Sequence, residues 1–594
     1  MNAIQTLLTD HLDIWTAADT EKKSGRGRSS GNAASVYGIK KLRELILELA
    51  VRGKLVPQDP NDEPASVLLE RIADEKAQLI QEGLIKKEKL LPEINEDEKT
   101  FTLPNGWEWS RLQDVSSYVQ RGKGPRYADF GKVQVVSQKS IQWAGFDLSQ
   151  TRYVDDVSLD SYQPERFLRK GDLLWNSTGT GTAGRINVVP EVDANSLVAD
   201  SHVTIIRPLM TSSSFLSCYV SAPGIQQRIE PEHENSLVSG TTNQVELNLS
   251  AVVQLVVPVP PLAEQRRIVA KVDELMALCD QLEQQQTHSL AAHQALAETL
   301  LGTLACVESQ QEFSAAWARI ASHFDTLFTT EVSIDQLKQT ILQLAVMGKL
   351  VPQDPNDEPA SVLLEKIAKE QKRLIEEGKL KKQKPLPVIG VEETLFDLPE
   401  GWAWARLQDV IDVRDGTHDS PKDAIGEDTY PLVTSKNFIN GEIDFDGARR
   451  ISAEDHVEIS KRSLVEKYDI LFSMIGGNLG NQVMVLDDRQ FSVKNVALFK
   501  YYNKDMTSPY FVKKFMEHLA LDLQGEASGG AQPFVSLGFL RSLVFGLPPC
   551  EEQHRIVAKV DELMALCDAL KARLDDAQAI QFHLADAIVE QAVC

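Results

Sequence analysis

KLVPQDPNDEPASVLLE, residues 54–70, is spelled again letter for letter at residues 349–365. The displacement is 295 residues, and it also carries LPNGWEWSRLQDV (103–115) onto LPEGWAWARLQDV (398–410). A third block, IVAKVDELMALCD, stands at 268–280 and returns at 556–568, now 288 residues on, so the second copy has lost seven residues between blocks. Upstream, DHLDIWT (10–16) faintly echoes SHFDTLFT (322–329) at 312 residues, so the first copy carries 17 extra residues. KKSGRGRSSGNAAS (22–35) fits that insertion and has the composition of a flexible linker. A period near 290 is far too long for a solenoid. It implies two tandem copies in one polypeptide, a pseudo-dimer with an approximate two-fold relation.

Similarity between the copies is uneven. The framing blocks are nearly identical, whereas the segments between them, 104–260 and 399–548, have drifted apart. The frame includes IKKLRELILELAVRGKLV (39–56) and IDQLKQTILQLAVMGKLV (334–351), whose Leu42, Leu45, Ile46 and Leu49 share one helical face before a Gly at 53 or 348 ends the pattern. A second helix is expected from Pro64 to Gly83 and from Pro359 to Gly378, followed by the lysine-rich loops KKEK (86–89) and KKQK (381–384). A charge run of this kind is usually a solvated face and is given a minor role near phosphate. After Pro260-Pro261, Ile268, Val272, Leu275, Cys279 and Leu282 alternate in steps of four and three, which is a coiled-coil seam on a long helix. The second copy carries its seam through Ile556, Val560, Leu563, Cys567, Leu570, Leu574, Leu584 and Ile588. The simplest partner for each seam is the other copy, paired antiparallel, and the alternative is packing on its own domain.

Within the drifted segments, VQVVS (133–137), DLLWNS (172–177), INVVP (186–190) and VTIIR (203–207) have strand length and turn-rich borders. A weak correspondence at 297 residues pairs VVSQKSI (135–141) with LVTSKNF (432–438), so the two segments share a fold. The expected class is α+β, with two α/β domains separated by a pair of long antiparallel coiled-coil helices in a pseudo-two-fold tandem repeat. The expected boundaries are a helical region 1–103 with its linker near 22–35, domain 104–260, a central helical region 261–398, domain 399–548, and a helical end at 549–594.

The chain has 594 residues, 42% of them hydrophobic and 25% charged, which excludes collagenous, mucin-like and wholly disordered classes. No apolar run approaches the roughly 20 residues of a bilayer span, and MNAIQTLLTDHLDIW lacks the basic leader and apolar core of a secretion signal, so a cytoplasmic location is expected. The six cysteines (Cys218, Cys279, Cys306, Cys550, Cys567, Cys594) form no CxxC pair and are expected as free thiols. The net charge of −24 repels a polyanion at long range.

GKLVPQDPNDEPASVLLE, the LPxGWxWxRLQDV motif and the PPLAEQRRIVAKVDELMALCD exit, each present twice around divergent inserts, resemble the DNA specificity subunit of Type I restriction-modification enzymes. ILQLAVMGKLVPQ (341–353) is similar to the branch usually called type IB. The resemblance covers nearly the whole chain. It implies that the inserts are target recognition domains, each reading one half of a split double-stranded DNA site. The frame would bind two methyltransferase (modification) subunits and, through them, two restriction (translocase-nuclease) subunits. It implies no cofactor in this chain, with S-adenosylmethionine, ATP and Mg belonging to the partners. The sequence agrees in having neither [ND]-P-P-[YFW] nor GxxxxGK[ST]. Two alternatives are a self-contained DNA methyltransferase-nuclease, opposed by those missing motifs, and a coiled-coil scaffold with non-DNA ligands, compatible with the acidity.

Three features imitate other chemistries. GTGTAG (179–184) fits G-x-G-x-x-G, but RINVVP continues it as a strand rather than a helix, so a hairpin loop is expected. His202, His233, His418 and His456 lack partners at metal-ligand spacing and read as ordinary histidines, with no metal site expected. Asp354 with EQK (370–372) suggests a nuclease, but copy one has EKA (75–77).

Reading bases in the major groove requires Arg or Lys for guanine, Asn or Gln for adenine, and Ser or Thr for either. Loops of the inserts concentrate these types among turn residues. In the first insert the candidate DNA-binding residues are Lys123, Arg126, Tyr127, Ser137, Gln138, Lys139, Ser140, Thr180, Thr182, Arg185, Thr241, Thr242 and Gln244. In the second they are Arg414, Thr417, His418, Lys422, Thr434, Ser435, Lys436, Asn437, Asn478, Asn481 and Gln532. Lys139 and Lys436 occupy matching positions, which favours a shared phosphate contact over base discrimination. Insert one has 13 basic and 16 acidic residues and insert two 16 and 22. Phosphate neutralisation supplies much of nonspecific affinity, so weak DNA binding is expected of the isolated chain and tight binding only with modification subunits.

Overall fold

The computed structural model describes residues 10–17, 36–179, 181–241, 244–307, 310–394, 396–526 and 534–593. The chain divides into two units, 1–289 with 577–594, and 290–576. Each repeats the same construction. The expected linker near 22–35 lies outside the described residues.

In the first unit, α1 (Tyr37–Val51) buries Ile39, Leu42, Leu45, Ile46 and Leu49 along one face, as their spacing requires. It ends at Gly53, whose φ of +66° suits glycine and whose missing Cβ leaves room for Pro104 and Trp107, 2.5 and 2.9 Å from where that atom would stand. α2 (Ala65–Gln81) follows Pro64 and turns Leu68 and Ile72 inward. Residues Glu108–Arg111 then pair antiparallel with Val256–Val259. The drifted segment therefore leaves the frame and rejoins it on adjacent strands. Its exit runs directly into α3 (Leu262–Cys306), where Glu264 accepts a 3.0 Å hydrogen bond from the Trp107 indole and Arg267 pairs with Asp62 at 2.5 Å.

Between those strands the segment folds into two sheets. One is antiparallel, in the order 116–121, 203–208, 173–176, 186–188. The other runs 197–199, 134–136, 152–154, 127–128, its first pair parallel. Alternation along the central strands serves two cores. Leu173, Trp175 and Ile206 face the frame with Leu68 and Ile72, while Leu174, Val203 and Ile205 pack against Val136, Leu197 and Ala199 of the second sheet.

The second unit repeats this scheme despite the drift. α4 (Glu331–Val346) and α5 (Ala360–Glu376) replace α1 and α2, Gly348 has φ +70°, and Ala403–Arg406 pairs with Val544–Leu547 before α6 (Cys550–Val593) begins. Its four-stranded sheet runs 411–415, 496–501, 470–473, 482–484, and its second sheet 449–452, 429–433, 492–493, the last pair parallel. Arg406 bridges Glu393 at 2.8 Å where Arg111 bridges Glu98 at 2.5 Å, and Arg555 bridges Asp357 at 2.6 Å where Arg267 bridges Asp62.

The two long helices are present at 45 and 44 residues, about 65 Å each at 1.5 Å per residue. In the first unit the opening half of α3 shares a core with the closing turns of α6, and in the second the opening half of α6 shares one with the end of α3. Their senses are therefore opposed. The seam residues also share each core with a frame helix. Ile268, Val272, Leu275 and Cys279 pack with α1, reinforced by Arg43 donating to Asp280 and Glu283 at 2.7 Å each. Ile556, Val560, Leu563 and Cys567 pack likewise with α4, where Lys338 meets Asp568 at 2.5 Å. The other long helix contributes Ala585, Ile588 and Val589 to the first of these cores and Leu301 and Leu304 to the second. The expected seam position Leu584 is 44% exposed, and its neighbour Ala585 is the buried one, because the helix face has drifted by one residue over that length.

Candidate nucleic-acid interface

The polar loops singled out in the first insert converge. Strand 173–176 pairs with 186–188, so the described residues of GTGTAG lie between the two strands of a β-hairpin and a strand follows them. The Trp175 indole donates to Gly184 O at 3.1 Å and pins the loop's far end. Asn176 donates to Gln138 O at 3.1 Å, Thr182 donates to the Gln138 Oε1 at 3.1 Å, and Gly179 N donates to Val245 O at 3.3 Å. Loops 137–142, 177–185 and the hairpin Val238–Thr241/Gln244–Leu247 are thus one cluster. The 120–127 loop joins it through the turn at 199–203: Lys123 N donates to Ala199 O at 3.0 Å, Ser177 N to His202 O at 2.8 Å, and Arg121 pairs with Glu246.

Side chains within this cluster divide into exposed and committed. Arg126, Tyr127 and Lys139 are exposed. Tyr127 lies under the Arg152 guanidinium, 4.1 Å from ring centre to Cζ. Lys123 is half-buried, its ammonium donating to Ser161 at 3.0 and 2.7 Å. Arg185 is half-buried and bonded to Gln142 and, at 2.7 Å, to Gly181 O. Ser137 accepts from Lys139 N at 3.3 Å and holds the turn. Ser140 requires a correction: it is fully buried behind that turn, so its hydroxyl cannot face a groove. Thr241 and Gln244 lie on the paired strands, and Thr180 and Thr242 fall outside the described residues.

The second insert assembles the same way from different residues. Lys494 N donates to Val433 O at 2.9 Å and Asn495 N to Thr417 O at 3.1 Å, joining loops 413–422 and 434–438. Asn481 donates to Phe438 O at 3.3 Å, adding 473–481, and Ile475 bridges Phe534. His418 is exposed, with Nδ1 3.1 Å from the Asn495 Oδ1 and Nε2 2.6 Å from the Asp415 Oδ2. Lys422, Lys436 and Asn478 are exposed, while Ser435 and Arg414 are half-buried, Arg414 donating to Asp412 at 2.6 Å. Two corrections arise here. Asn437 is buried, its Oδ1 accepting from Thr434 N and Oγ1 at 3.0 and 3.1 Å, so it closes the turn rather than reading a base. Thr417 is buried too, its hydroxyl accepting from Asp419 N at 3.1 Å. Gln532 falls outside the described residues. Lys139 and Lys436 do occupy the same place, the exposed middle of a short 3-10 turn after a central strand of the second sheet.

Composition did not mark the turns that join these clusters, 199–203 and 493–496. Their signal lies in Asp200, Asn495 and the strand before each. Asp200 is buried and accepts from His202 N at 2.8 Å, and burial pushes its carboxyl above the ordinary range despite that bond. Thr178 and the His202 Nδ1 stand 2.8 Å apart beside it. Asn495 has φ +56°, a conformation Asn tolerates better than most residues. His456 stacks on Tyr430 at 4.0 Å with Nδ1 2.9 Å from the Ser492 hydroxyl. Among the described residues no helix is long and apolar enough to cross a membrane.

A family profile described as Type I restriction modification DNA specificity domain matches residues 104–292 and 399–577. The Type I restriction enzyme EcoAI specificity subunit of Escherichia coli is 38% identical over 613 residues, with 100% of both chains covered. The EcoEI specificity subunit of the same organism is 38% identical over 618 residues, again with 100% of both covered. Among solved structures, the HsdS subunit from Thermoanaerobacter tengcongensis matches with a TM-score of 0.42 at 19% identity, covering 84% of this chain and 98% of that one.

Proposed function

Since the chain belongs to the Type I restriction modification DNA specificity family, we propose that its two inserts each read one half of a bipartite double-stranded DNA site. As a specificity subunit it is the recognition component and not the catalytic one. The observation that carries the two-reader proposal is the pair of loop clusters, built on one scaffold from different side chains. Polar groups held at fixed places on a rigid sheet are what groove readout requires. Exposed Lys139 and Lys436 set the register on phosphate, and the unlike residues around them specify sequence.

The frame is the part that two modification subunits would hold in common, because its two copies are nearly identical in sequence and in ion pairs. Those subunits would supply S-adenosylmethionine and take the target adenine out of the stack. Restriction subunits with ATP and Mg would join through them. Neither insert is basic overall, so enclosure of the duplex by partners supplies part of the affinity.

The test is to express the chain with its modification subunits and map methylated adenines across a genome. The expected result is one split motif, and replacing residues 104–260 with those of a relative should change only one half of it. A change in both halves would end the independent-reader proposal. Methyl transfer by the purified chain alone would instead support a self-contained enzyme.

A further inference from the structure

The frame of the second unit also faces a cleft of about 1120 Å³, which lies between residues 378–386 and the recognition loops. Its lining includes Arg414 and His418 of those loops. Few apolar side chains line it, unlike the mostly apolar walls of small-molecule sites. Eight basic and four acidic residues face it, in a chain whose net charge is −24. Three of the four carboxylates already have a cation on the same wall: Asp412 with Arg414 at 2.6 Å, Asp415 with Arg462 at 3.3 Å and Glu458 with Lys461 at 2.5 Å. Arg541 spends its guanidinium on a neutral acceptor, Val413 O, at 3.0 and 2.7 Å.

The other wall is a strap with a fixed backbone and free cations. Gln383 donates to the Asp412 Oδ1 at 3.0 Å, Gln408 donates to Lys384 O at 3.2 Å, and Arg406 donates to Pro387 O at 3.0 Å. Lys381, Lys382 and Lys384 alternate with these anchors, are exposed, and have no carboxylate within ion-pair distance among the described residues. Copy one differs at the central position: Glu88 replaces Gln383 and pairs with Lys76 at 2.8 Å.

We propose that Lys381, Lys382 and Lys384, with Arg541 across the cleft, clamp the phosphodiester backbone of DNA running from the recognition loops of the second insert. The proposal rests on the DNA-reading role given above. A lysine is a point charge suited to phosphate without sequence preference, and a pinned backbone lowers the cost of placing three in a row. A local cationic cleft of this kind lets an acidic chain hold a polyanion at short range.

The test uses the full chain assembled with its modification subunits, carrying K381A/K382A/K384A, and two duplexes of equal length, one with the mapped site and one without. Each neutralised phosphate contributes about 0.9 to the salt slope, so the slope of log affinity against log salt should become shallower by about 2 to 3 for both duplexes. The methylated motif should stay the same. K366A, which removes a surface lysine bridged to Glu358 at 2.7 Å outside the cleft, should leave the slope as it was. An unchanged slope in the triple variant overturns the clamp, as does an altered half-site. Loss of modification subunits from the triple variant also overturns it and makes the strap a protein dock. A wild-type complex that binds both duplexes equally removes the sequence-reading role, while the slope on either duplex still decides the clamp.

Discussion

Ser140 and Asn437 stand at matching places, each the last residue of the 3-10 turn that presents Lys139 or Lys436. Loop composition grouped all of them as candidate DNA contacts, and burial separates them. Residue type gives donor and acceptor chemistry, but which side of a three-residue turn faces water depends on the second sheet beneath it. The separation can be measured in the second insert. Asn437→Ala removes the acceptor for Thr434 N and Oγ1, and should cost about 1 to 2 kcal/mol in denaturant melts. Lys436→Ala should leave the melt unchanged and lower the salt slope of DNA binding by about 1. The buried His456 makes a pH prediction of definite sign. Burial lowers its pKa, so below about pH 6.5 the unfolded chain binds a proton that the folded chain resists. Stability should fall as pH drops through that value, and His456→Gln should flatten the dependence in melts between pH 8 and pH 5.5.

At the scale of elements, helices were legible because their signals are local. Periodic Leu42, Leu45, Ile46 and Leu49, a closing Gly and an opening Pro locate α1 and α2 to within a few residues. Strands 134–136, 173–176, 186–188 and 203–208 were also legible as apolar runs. Their order was not, because the parallel pairing of 134–136 with 197–199 joins residues about 60 apart and leaves no periodic mark. That pairing and its counterpart, 432–433 with 492–493, place the turns at 199–203 and 493–496 in the middle of the two loop clusters, which is why composition passed over them. The seam was legible as a stripe, but a stripe does not name its partners, and each core that holds a seam contains both a frame helix, α1 or α4, and the opposite long helix. Gly348 offers a test of how tightly element meets element. Alanine there would need φ +70° and would set its Cβ 2.5 Å from Pro399 and 2.8 Å from Trp402. Gly348→Ala should therefore destabilise the second unit by about 2 kcal/mol or more, read as a lower denaturation midpoint, with Gly53→Ala doing the same to the first.

For the whole molecule, duplication was legible from the letters alone, since a repeated 17-residue block states it without any structural inference. On the two-reader proposal, the repeat leaves open the distance between the half-sites, and α3 and α6 bear on it because each begins in one unit and ends in the other. If the helices act as the spacer, the nonspecific gap follows their length. One heptad keeps a seam in register and spans about 10 Å, the rise of about three base pairs. Removing seven residues from each helix in the stretches nearest the unit boundary, 284–290 and 576–582, removes little seam but deletes Phe582, which packs edge-on against Tyr37 at 4.6 Å. Phe582→Ala alone therefore serves as the packing control. The double deletion should shorten the gap in the methylated motif by about three base pairs while both half-sites keep their bases, and Phe582→Ala should change neither. A motif with an unchanged gap and unchanged half-sites would show that the spacing is set elsewhere, by the frame or by the bound modification subunits.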